Sequence, residues 1–484
     1  MGNLYQKFAK DVLVIGISNI LVALSSIILL SLITKNLGAY DYGIWIQFNV
    51  TVNLVLAFAG IGLPFALVRL LPSKTNKEEI QEDFYSIFYL VFFITLIVST
   101  ILIAFADIIA TAFFGGATDI VRIIGLIILV GSLNYVLQSA FRAFQKIKEY
   151  ALFQIAGPYS QIAIITYLAL NGYGMLAIVL AVLVINLVLF ISMFFLIKAQ
   201  IGIRRPHFSR IKDYLSFGLP MIPWNLSMWV MSGSTRYIIS FFLGVTAVGV
   251  YSAAYSMGQV MFMLSGILSF VLTPAVSKLY DEGKMEDVKK HLSFSLKYLL
   301  ALAIPFVFGA AVLAKPVLQL FSTAAIADEG YLVVPLVALN ALPWGIYAVA
   351  AQVLLLLKKT KTIAISWVIA ASVNCLLTIV SVPLVGIMGA AVTSVISNAM
   401  GTGIIIYYCQ KEFSFPVDLK FIIKSLVAST IMGLAIWAIS PKENLTTVIS
   451  GIAGVAIYVG TLLLLKGFKK EEFVFFKGLI IGKR

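Results

Sequence analysis

The amino-acid sequence predicts an all-α membrane protein with 14 transmembrane helices, arranged as two parallel six-helix repeats followed by two appended helices. Of its 484 residues, 61% are hydrophobic and only 12% are charged, whereas soluble domains carry about 25% charged residues. The apolar residues form runs of about 20, the length of a helix that crosses a bilayer. A motif of the form L-G-x-x-x-x-G-[I/V]-[aromatic] occurs at Leu37–Trp45 and again at Leu243–Tyr251. This spacing of about 206 residues indicates an internal duplication.

The predicted spans follow one another along the whole chain, at about residues 11–34, 43–68, 85–106, 120–144, 150–170, 174–197, 214–242, 247–276, 291–314, 331–357, 362–382, 386–409, 420–439 and 445–465. Span 1 is predicted to be retained, because Val12–Ile33 is too long for the core of a signal peptide and lacks a small-x-small cleavage site. The repeated motif joins span 1 to span 2 and span 7 to span 8. Spans 3 and 4, like spans 9 and 10, are identified from apolar length.

Further similarities between the halves keep nearly the same offset. Pro64 and Arg69 end span 2 as Pro274 and Lys278 end span 8. Short basic segments precede spans 5 and 11, and glycine-containing segments open spans 6 and 12: Gln145–Lys148, Lys358–Lys361, Gly174–Ala177 and Gly386–Ala391. Six spans separate the two motif copies, so both halves have the same orientation and the repeats are parallel. Spans 13 and 14 have no counterpart.

The distribution of basic residues predicts a multi-pass protein of the cytoplasmic membrane with both termini cytoplasmic. Thirty of the 35 Lys and Arg residues fall on the terminus side of the 14 spans, and five do not: Lys35, Arg122, Arg236, Lys315 and Lys442. Such enrichment marks the cytoplasmic side. The net charge of +14 is therefore explained by many short loops near anionic lipid headgroups, and nucleic acid is not an expected partner.

This arrangement divides the chain into five predicted regions. They are an N-terminal bundle at 1–200, a cytoplasmic linker at 201–213, a C-terminal bundle at 214–411, two additional helices at 412–466 and a cytoplasmic tail at 467–484. Within the tail, Phe473–Ile481 is too short to span and too apolar to dissolve, so we expect it to lie in the membrane interface.

No enzyme chemistry, cofactor or metal is predicted. There is no nucleotide-binding G-x-x-x-x-G-K-[S/T] motif and no nucleophile–base–acid arrangement. Cys375 and Cys409 lie in or at the end of apolar spans, so no disulfide is expected. His207 and His291 lie in polar connections, and with so few His and Cys residues a metal site is not expected.

The chain resembles the polysaccharide transporter (oligosaccharide flippase) family of the multidrug/oligosaccharidyl-lipid/polysaccharide exporter superfamily. Besides the repeated motif and the six-plus-six-plus-two layout, four further segments resemble that family: Arg236–Ile239, Val250–Tyr255, Leu313–Leu318 with Phe321 and Tyr331 after it, and Gln352–Leu354. The resemblance implies movement of lipid-linked sugars to the outer leaflet through a central cavity between two bundles. Members often carry an acid where this chain has Thr235, so an ion-pair role is not carried over to that position.

Polar residues recur at helical spacing within several spans, which places them on common helix faces. The candidates for lining a substrate cavity are Asn49 and Asn53 in span 2, Asn134, Gln138 and Arg142 in span 4, Asn225, Trp229, Ser232 and Arg236 in span 7, and Tyr251, Tyr255 and Gln259 in span 8. Aromatic faces and amides suit sugar rings, and guanidinium groups suit phosphate. Each amide has the alternative role of joining helices by hydrogen bonds.

The basic candidates also have two interpretations. Arg236 lies about two turns from the outer end of span 7 at Gly244, where a charge is costly and marks a functional candidate. It serves either as a cavity cation for an anionic substrate or as a partner of backbone carbonyls. Lysine and arginine side chains near cytoplasmic helix ends are expected to reach the headgroups: Arg69, Lys278, Lys297 and Lys424.

The predicted function is translocation of an anionic lipid-linked oligosaccharide, carrying a phosphate or pyrophosphate, by alternating access. The alternative is a cation-coupled multidrug exporter of the same superfamily, and a membrane scaffold is the third class. Exporters need carboxylates inside the membrane, whereas here every Asp and Glu lies at a span end or in a loop. The expected partners are the lipid-linked glycan, membrane lipids and glycosyltransferases or a polymerase of the same pathway, with the protein itself a monomer.

Overall fold

The computed structural model describes residues 2–441 and 443–468, and this part of the chain is helical without β-strands. It divides into two compact units, Met1–Gly249 and Val250–Arg484. The apolar tail segment predicted at Phe473–Ile481 lies outside the described residues, as does Lys442.

The helices of the first unit are α1 (Gly2–Ala59), α2 (Leu63–Leu70), α3 (Lys77–Ala104), α4 (Ala106–Phe113), α5 (Thr118–Ala143), α6 (Ile147–Leu170), α7 (Met175–Ile201), α8 (Ile211–Gly218), α9 (Ile222–Trp229) and α10 (Thr235–Leu243). Shorter 3₁₀ segments lie at Leu71–Ser73 and Leu219–Met221, and a π-helical segment lies at Val230–Ser234.

The second unit contains most of α11 (Val245–Gly258), followed by α12 (Phe262–Asp281), α13 (Met285–Phe321), α14 (Ala324–Gly330), α15 (Val333–Leu339), α16 (Ala341–Leu356), α17 (Thr360–Val385), α18 (Ile387–Glu412), α19 (Leu419–Ile439) and α20 (Asn444–Leu464). A 3₁₀ segment, Gln259–Met261, separates α11 from α12.

Ten helical stretches in the described residues are long and apolar enough to cross a membrane. This number is lower than the 14 predicted spans for three reasons. Helix α1 contains spans 1 and 2 on either side of a kink at Gly38. Spans 7 and 8 are each divided into shorter helices. Helix α6 is not among the ten, and it carries Gln154, Gln161 and an internal Pro158. The count of 14 stays a prediction.

The first glycine of each motif copy bends the chain. Gly38 has φ 90° and ψ −173°, and Gly244 has φ 84° and ψ 172°, so the two copies share one backbone conformation. Side chains disfavour a positive φ of this kind, whereas glycine adopts it without steric cost. Helix α1 kinks at Gly38 and α10 ends at Gly244. The motif therefore encodes a turn between two helical segments.

The second glycine of each copy permits a direct contact between the two copies. A Cβ atom on Gly43 would lie 2.1 Å from the carbonyl oxygen of Val245, and one on Gly249 would lie 2.0 Å from that of Ala39. Val245 follows Ala39 by the same 206 residues by which Gly249 follows Gly43. The contact is thus reciprocal at equivalent motif positions, and any side chain at either glycine would overlap main-chain atoms.

A polar cluster attaches residues 202–214 to the start of α3. The carboxylate of Asp83, only 3% exposed, accepts hydrogen bonds of 2.9 Å from Arg210 Nε and from the Tyr214 hydroxyl. Tyr85 donates to the carbonyl of Gly202 at 2.7 Å. The first unit therefore includes the predicted linker and the beginning of the predicted second bundle. The predicted bundles at 1–200 and 214–411 are defined by the internal repeat, whereas the two compact units are defined by contacts. The division into these bundles stays a prediction.

Neighbouring contacts strengthen this attachment. Ser209 donates a hydrogen bond to the carboxylate of Glu82, which holds the pKa of Glu82 below its usual value. Where α2 meets α8, a Cβ atom on Gly62 would lie 2.1 Å from the carbonyl oxygen of Gly218. Only residues without side chains allow the two backbones to approach this closely.

In the second unit, α19 and α20 pack on α13 through a buried apolar cluster. Its buried members are Ala301, Leu313, Phe421, Ala428, Met432, Ile436, Tyr458 and Leu462. The hydroxyl of Tyr458 donates to the carbonyl of Ala301 at 2.8 Å, which satisfies a polar group inside the cluster. The two helices after the predicted repeats are therefore integral to the core of this unit.

The environment of Lys297 differs from the sequence-based expectation that it extends to the headgroups. The residue is 5% exposed, and its Nζ lies 3.4 Å from Asp418 Oδ2. The same Nζ lies 4.8 Å from the centroid of Phe421 and 5.7 Å from that of Phe468. Lys297 is buried because a carboxylate and two aromatic faces replace the solvation of its ammonium group.

The reciprocal contact leads to a test of the motif. Gly43→Ala and Gly249→Ala should each lower stability by about 1–3 kcal/mol or more, because the new methyl group overlaps a carbonyl oxygen that cannot move alone. The measurement is the melting temperature of the detergent-purified protein, with gel filtration to detect aggregation. Gly460→Ala is the matched control, since no atom lies within 4 Å of its Cβ position. Melting temperatures equal to that of the control would contradict this account of the motif.

Candidate functional site

Two cavities in the first unit form the candidate site. Chamber A has a volume of about 310 Å³, and its wall includes Asn53, Leu56, Tyr135, Asn225, Met228, Trp229 and Ser232. Chamber B has a volume of about 300 Å³, and its wall includes Asn49, Leu56, Asn134, Tyr135, Gln138, Gln154, Gln161 and Asn186. The chambers are neighbours, because Leu56 and Tyr135 line both. Among the residues that the structure describes, no charged side chain lines either one.

Seven of the nine candidates that belong to the first unit line these chambers. Those on chamber A are Asn53, Asn225, Trp229 and Ser232, and those on chamber B are Asn49, Asn134 and Gln138. The structure thus brings the polar faces of spans 2, 4 and 7 together. Their roles toward a substrate stay predictions at this point.

Trp229 is held in the wall of chamber A by specific contacts. Its indole Nε1 donates to the carbonyl of Val50 at 3.2 Å, and its ring lies 5.7 Å from the ring of Tyr237. The Tyr237 hydroxyl lies 2.5 Å from Thr51 Oγ1, within hydrogen-bonding distance. The π-helical segment places Gly233 against the indole, where a Cβ atom would lie 2.7 Å from Trp229 Cε2. Glycine at 233 therefore makes room for this orientation of the ring.

The amides of chamber B mostly direct their nitrogen atoms into the protein. Four donate there: Asn49 Nδ2 to the Trp45 carbonyl at 2.7 Å, Asn134 Nδ2 to the Asn186 carbonyl at 3.0 Å, Gln154 Nε2 to Asn19 Oδ1 at 2.9 Å, and Asn186 Nδ2 to the Val182 carbonyl at 2.9 Å. The oxygens Asn134 Oδ1 and Gln154 Oε1 are buried and accept no hydrogen bond from any residue that the structure describes. Asn134 and Gln154 therefore also join neighbouring helices, α5 to α7 and α6 to α1.

Arg236 and Arg142 line neither chamber. The guanidinium of Arg236 donates to the carbonyl of Ser232, one turn earlier on its own helix, and Ser232 itself lines chamber A. The carbonyl of Arg236 accepts from Gln47 Nε2 at 3.5 Å. Arg142 is exposed at the end of α5, where its guanidinium carbon lies 5.7 Å from the centroid of Tyr150. The two arginines are thus separate from the polar walls.

The three candidates in the second unit occupy different environments along α11 and the segment after it. Tyr251 is fully buried, with its ring centroid 5.8 Å from that of half-buried Tyr255. Gln259 is exposed and begins the 3₁₀ segment Gln259–Met261. The helix ends just before Gln259, which interrupts the regular spacing that the sequence suggests for these three residues.

Sequence reasoning missed four residues that line the chambers. Gln154 and Gln161 lie seven residues apart on α6, so the helical spacing used for the other spans could have found them. Asn186 is a single amide on α7, and Tyr135 follows Asn134 in sequence but not on its helix face. Only the packing of α1, α5, α6 and α7 places these residues on a common cavity.

The second unit contains an apolar cavity of about 410 Å³ beside α13, α19 and α20. Its wall includes Leu302, Phe306, Met432, Ile436, Val455 and Tyr458. Within the described part of the chain, its lining includes no charged side chain. Among the described residues, no group of three or more His, Cys, Asp or Glu side chains could hold a metal ion.

Comparisons with known proteins give a family match and, separately, a shared fold. The family model described as "Polysaccharide biosynthesis protein" matches residues 32–326, more than half of the chain. The "Probable low-salt glycan biosynthesis flippase Agl15" of Haloferax volcanii is 20% identical over 474 residues, and the match covers 96% of this chain and 98% of that protein.

Two solved structures show the same fold at low sequence identity. A lipid II flippase, MurJ, in an inward closed conformation superposes with a TM-score of 0.78 at 19% identity, covering 95% of this chain and 99% of that one. A multidrug resistance MATE family transporter of the MOP superfamily, in an inward-facing conformation, superposes with a TM-score of 0.65 at 14% identity, covering 81% and 93%.

The contact between Gly233 and Trp229 leads to a second test. Gly233→Ala should displace the indole, because the methyl group would lie within van der Waals distance of the ring, and should lower stability by about 1–3 kcal/mol. The measurements are the melting temperature and the tryptophan emission spectrum, with Trp229→Phe to assign the contribution of this indole. Gly131→Ala is the control, since Gly131 also lines a chamber but has no atom within 4 Å of its Cβ position. An unchanged spectrum in Gly233→Ala would contradict the predicted displacement.

Proposed function

The chain belongs to the family of polysaccharide biosynthesis proteins, and from this premise we propose that it is a flippase for a lipid-linked oligosaccharide in the cytoplasmic membrane. The observation that carries the proposal is the pair of polar, uncharged chambers in a unit built from apolar helices. Amides and aromatic rings are the groups that bind sugar hydroxyls and ring faces, and they are costly in a membrane protein unless they serve packing or a ligand.

The relatives support a transporter rather than a catalyst. The protein from Haloferax volcanii that matches nearly the whole chain is named a flippase of glycan biosynthesis, and the fold is shared with a lipid II flippase. The described residues contain no metal-binding group that would support hydrolysis. We therefore propose transport without covalent chemistry, in a pathway with glycosyltransferases or a polymerase.

The proposed arrangement in the membrane has 14 spans, both termini in the cytoplasm, and two parallel six-helix repeats with an added helical pair. The reciprocal contact of Gly43 with Val245 and of Gly249 with Ala39 supports the parallel repeats, since it relates equivalent positions of the two motif copies. In this proposal the protein acts as a monomer and moves its substrate by alternating access.

The proposed substrate site assigns different parts of the ligand to different residues. The glycan occupies chambers A and B, and Arg236 provides the cation for the phosphate. The support for the second assignment is that Arg236 follows Ser232, a residue of the wall of chamber A, by one helical turn. The bond of its guanidinium to the Ser232 carbonyl belongs to the alternative role as a backbone partner. Tyr255 and Gln259 are proposed to contact substrate as well, whereas buried Tyr251 and exposed Arg142 are better suited to structural roles.

The lipid tail has a proposed place in the second unit. The apolar cavity beside α19 and α20 has the chemistry of an acyl or prenyl chain, with aliphatic and aromatic side chains in its wall. In this proposal the tail runs along that cavity, beside the two appended helices.

Cation-coupled drug export is the second function considered, and no specific observation favours it. The likeness to a multidrug transporter at 14% identity concerns the fold. Neither chamber has a carboxylate in its wall to couple a cation or attract a cationic drug.

Reconstitution tests the proposed function directly. Purified protein in liposomes should move a fluorescent lipid-linked oligosaccharide between leaflets, measured as protection from an impermeant glycosidase added outside. The same vesicles should not export a cationic dye against a proton or sodium gradient. Dye export without glycan movement would favour the exporter and refute the flippase.

Arg236 provides the site test within that assay. Arg236→Ala should slow translocation about tenfold or more, because a charge-assisted hydrogen bond to the phosphate is lost, while abundance and melting temperature remain close to wild type. The matched control is Arg122→Ala, which removes an arginine that is half-exposed and paired with Asp107 and Asp119. Full transport by Arg236→Ala would exclude Arg236 from substrate binding and favour its role as a backbone partner.

A further inference from the structure

We propose that Tyr135 contacts the glycan at the point where it passes from chamber A to chamber B, and that this contact favours glycans of several sugars over a single sugar. The proposal rests on the proposed function for the presence of a glycan, and it assigns a role to a residue that the polar stripes of the sequence do not single out. It follows from the position of Tyr135 in the walls of both chambers and from the state of its hydroxyl group.

The junction between the chambers is formed by two side chains. Among the described residues, Leu56 and Tyr135 are the ones that line both cavities. The chambers measure about 310 Å³ and about 300 Å³, near the lower end of the range of about 300–1,000 Å³ for cavities that enclose an organic ligand. A glycan of several sugars therefore has to extend into both chambers, and it passes Tyr135 where it crosses.

The hydroxyl of Tyr135 is not engaged by the protein. The hydroxyl groups of Tyr214 and Tyr237, in the same unit, lie 2.9 Å and 2.5 Å from protein oxygen atoms. Tyr135 is half-buried, and its hydroxyl forms no hydrogen bond with any residue that the structure describes. Unlike the buried amide oxygens of Asn134 and Gln154, this hydroxyl is accessible. Because tyrosine hydroxyls inside proteins usually have a partner, a ligand at the junction would supply one here.

Further hydrogen-bonding groups lie on both sides of Tyr135. Asn53 and Asn225 line chamber A, and Gln138 and Gln161 line chamber B. Within the part of the chain that the structure describes, none of these four side chains forms a hydrogen bond, and none of their polar atoms is buried. An amide both donates and accepts, so each can pair with a sugar hydroxyl. A glycan that crosses at Tyr135 thus meets uncommitted amides in two chambers, whereas a single sugar reaches those of one.

The chemistry of tyrosine suits such a crossing point. Its ring offers a broad apolar face to the C–H groups of a sugar, and its hydroxyl can donate and accept. Leu56, on the other side of the junction, offers apolar atoms alone. A hydrogen bond between neutral groups has a modest net free energy, so the contact positions a glycan without trapping it.

The experiment compares a tetrasaccharide with a monosaccharide of the same sugar, each on the same pyrophosphate and lipid. Calorimetry with the matching water-soluble sugar phosphates should show binding of the tetrasaccharide about tenfold tighter or more, because it forms additional hydrogen bonds in the second chamber. In liposomes below saturation, wild-type protein should move the tetrasaccharide form faster by a similar factor. The calorimetric measurement does not depend on transport.

Variants of Tyr135 test whether the junction is the origin of this preference. Tyr135→Leu removes the ring and the hydroxyl, so the tetrasaccharide-to-monosaccharide ratio should fall about tenfold, in binding and in transport. Tyr135→Phe keeps the ring and should lower the ratio about two- to tenfold, with a melting temperature close to wild type. This second variant decides the result if Tyr135→Leu does not fold. Tyr167→Leu is the matched control, because Tyr167 is exposed on α6 and lines neither chamber.

The outcomes separate this proposal from the proposed function. A Tyr135-dependent preference in binding without any translocation would refute the flippase and support the contact. Translocation by wild type with ratios in both Tyr135 variants that match the Tyr167→Leu control would overturn the contact and leave the flippase standing. An equal loss for both glycans together with a lower melting temperature would assign Tyr135 a structural role and also overturn the contact. Neither binding nor movement of either glycan by wild type would overturn both.

Discussion

The contact between the two motif copies governs the geometry of the first unit. Gly43 and Gly249 let two backbones touch at positions related by the internal repeat, and this allows the second part of α1 to lie directly against the start of α11. Farther along α1, Thr51 approaches the hydroxyl of Tyr237 on α10, and Val50 accepts from the indole of Trp229 on α9. Helix α1 thus carries both the main-chain contact between the motif copies and part of the wall of chamber A.

The reason why the candidate site was only partly predictable lies in span 7. Asn225, Trp229 and Ser232, which share a face at helical spacing, line one cavity in the structure, and the α-helix holds as far as Trp229. Their role toward a substrate stays a prediction. The π-helical segment Val230–Ser234 then takes more residues per turn than an α-helix. Arg236, four residues after Ser232, lines neither chamber. Helix propensity and the spacing of polar residues do not reveal a π-helical segment. In this segment Gly233 packs directly against the indole ring of Trp229, a contact that only the folded structure shows.

The sequence left two roles open for each membrane amide, helix joining or cavity lining, and the structure shows that one side chain can do both. Asn134 on α5 joins α7 through its nitrogen, and the residue also forms part of the wall of chamber B. The helical spans, the kink at the motif and most polar stripes were predictable, because they depend on local pattern. The chambers themselves depend on which helices pack together, and Asn186 and Tyr135 joined the site only through that packing.

The chemistry of chamber B also bears on how such a protein diverges. Codons for asparagine and glutamine lie one base away from codons for lysine, so a single point mutation can place a positive charge at any of the six amides. The helix-joining hydrogen bonds of Asn134 and Asn186 constrain those two positions, whereas Gln138 and Gln161 form no such bond in the described structure. Gln138 and Gln161 are thus the positions at which a lineage could follow a glycan that gains an acidic sugar, while the fold and the repeated glycines remain unchanged.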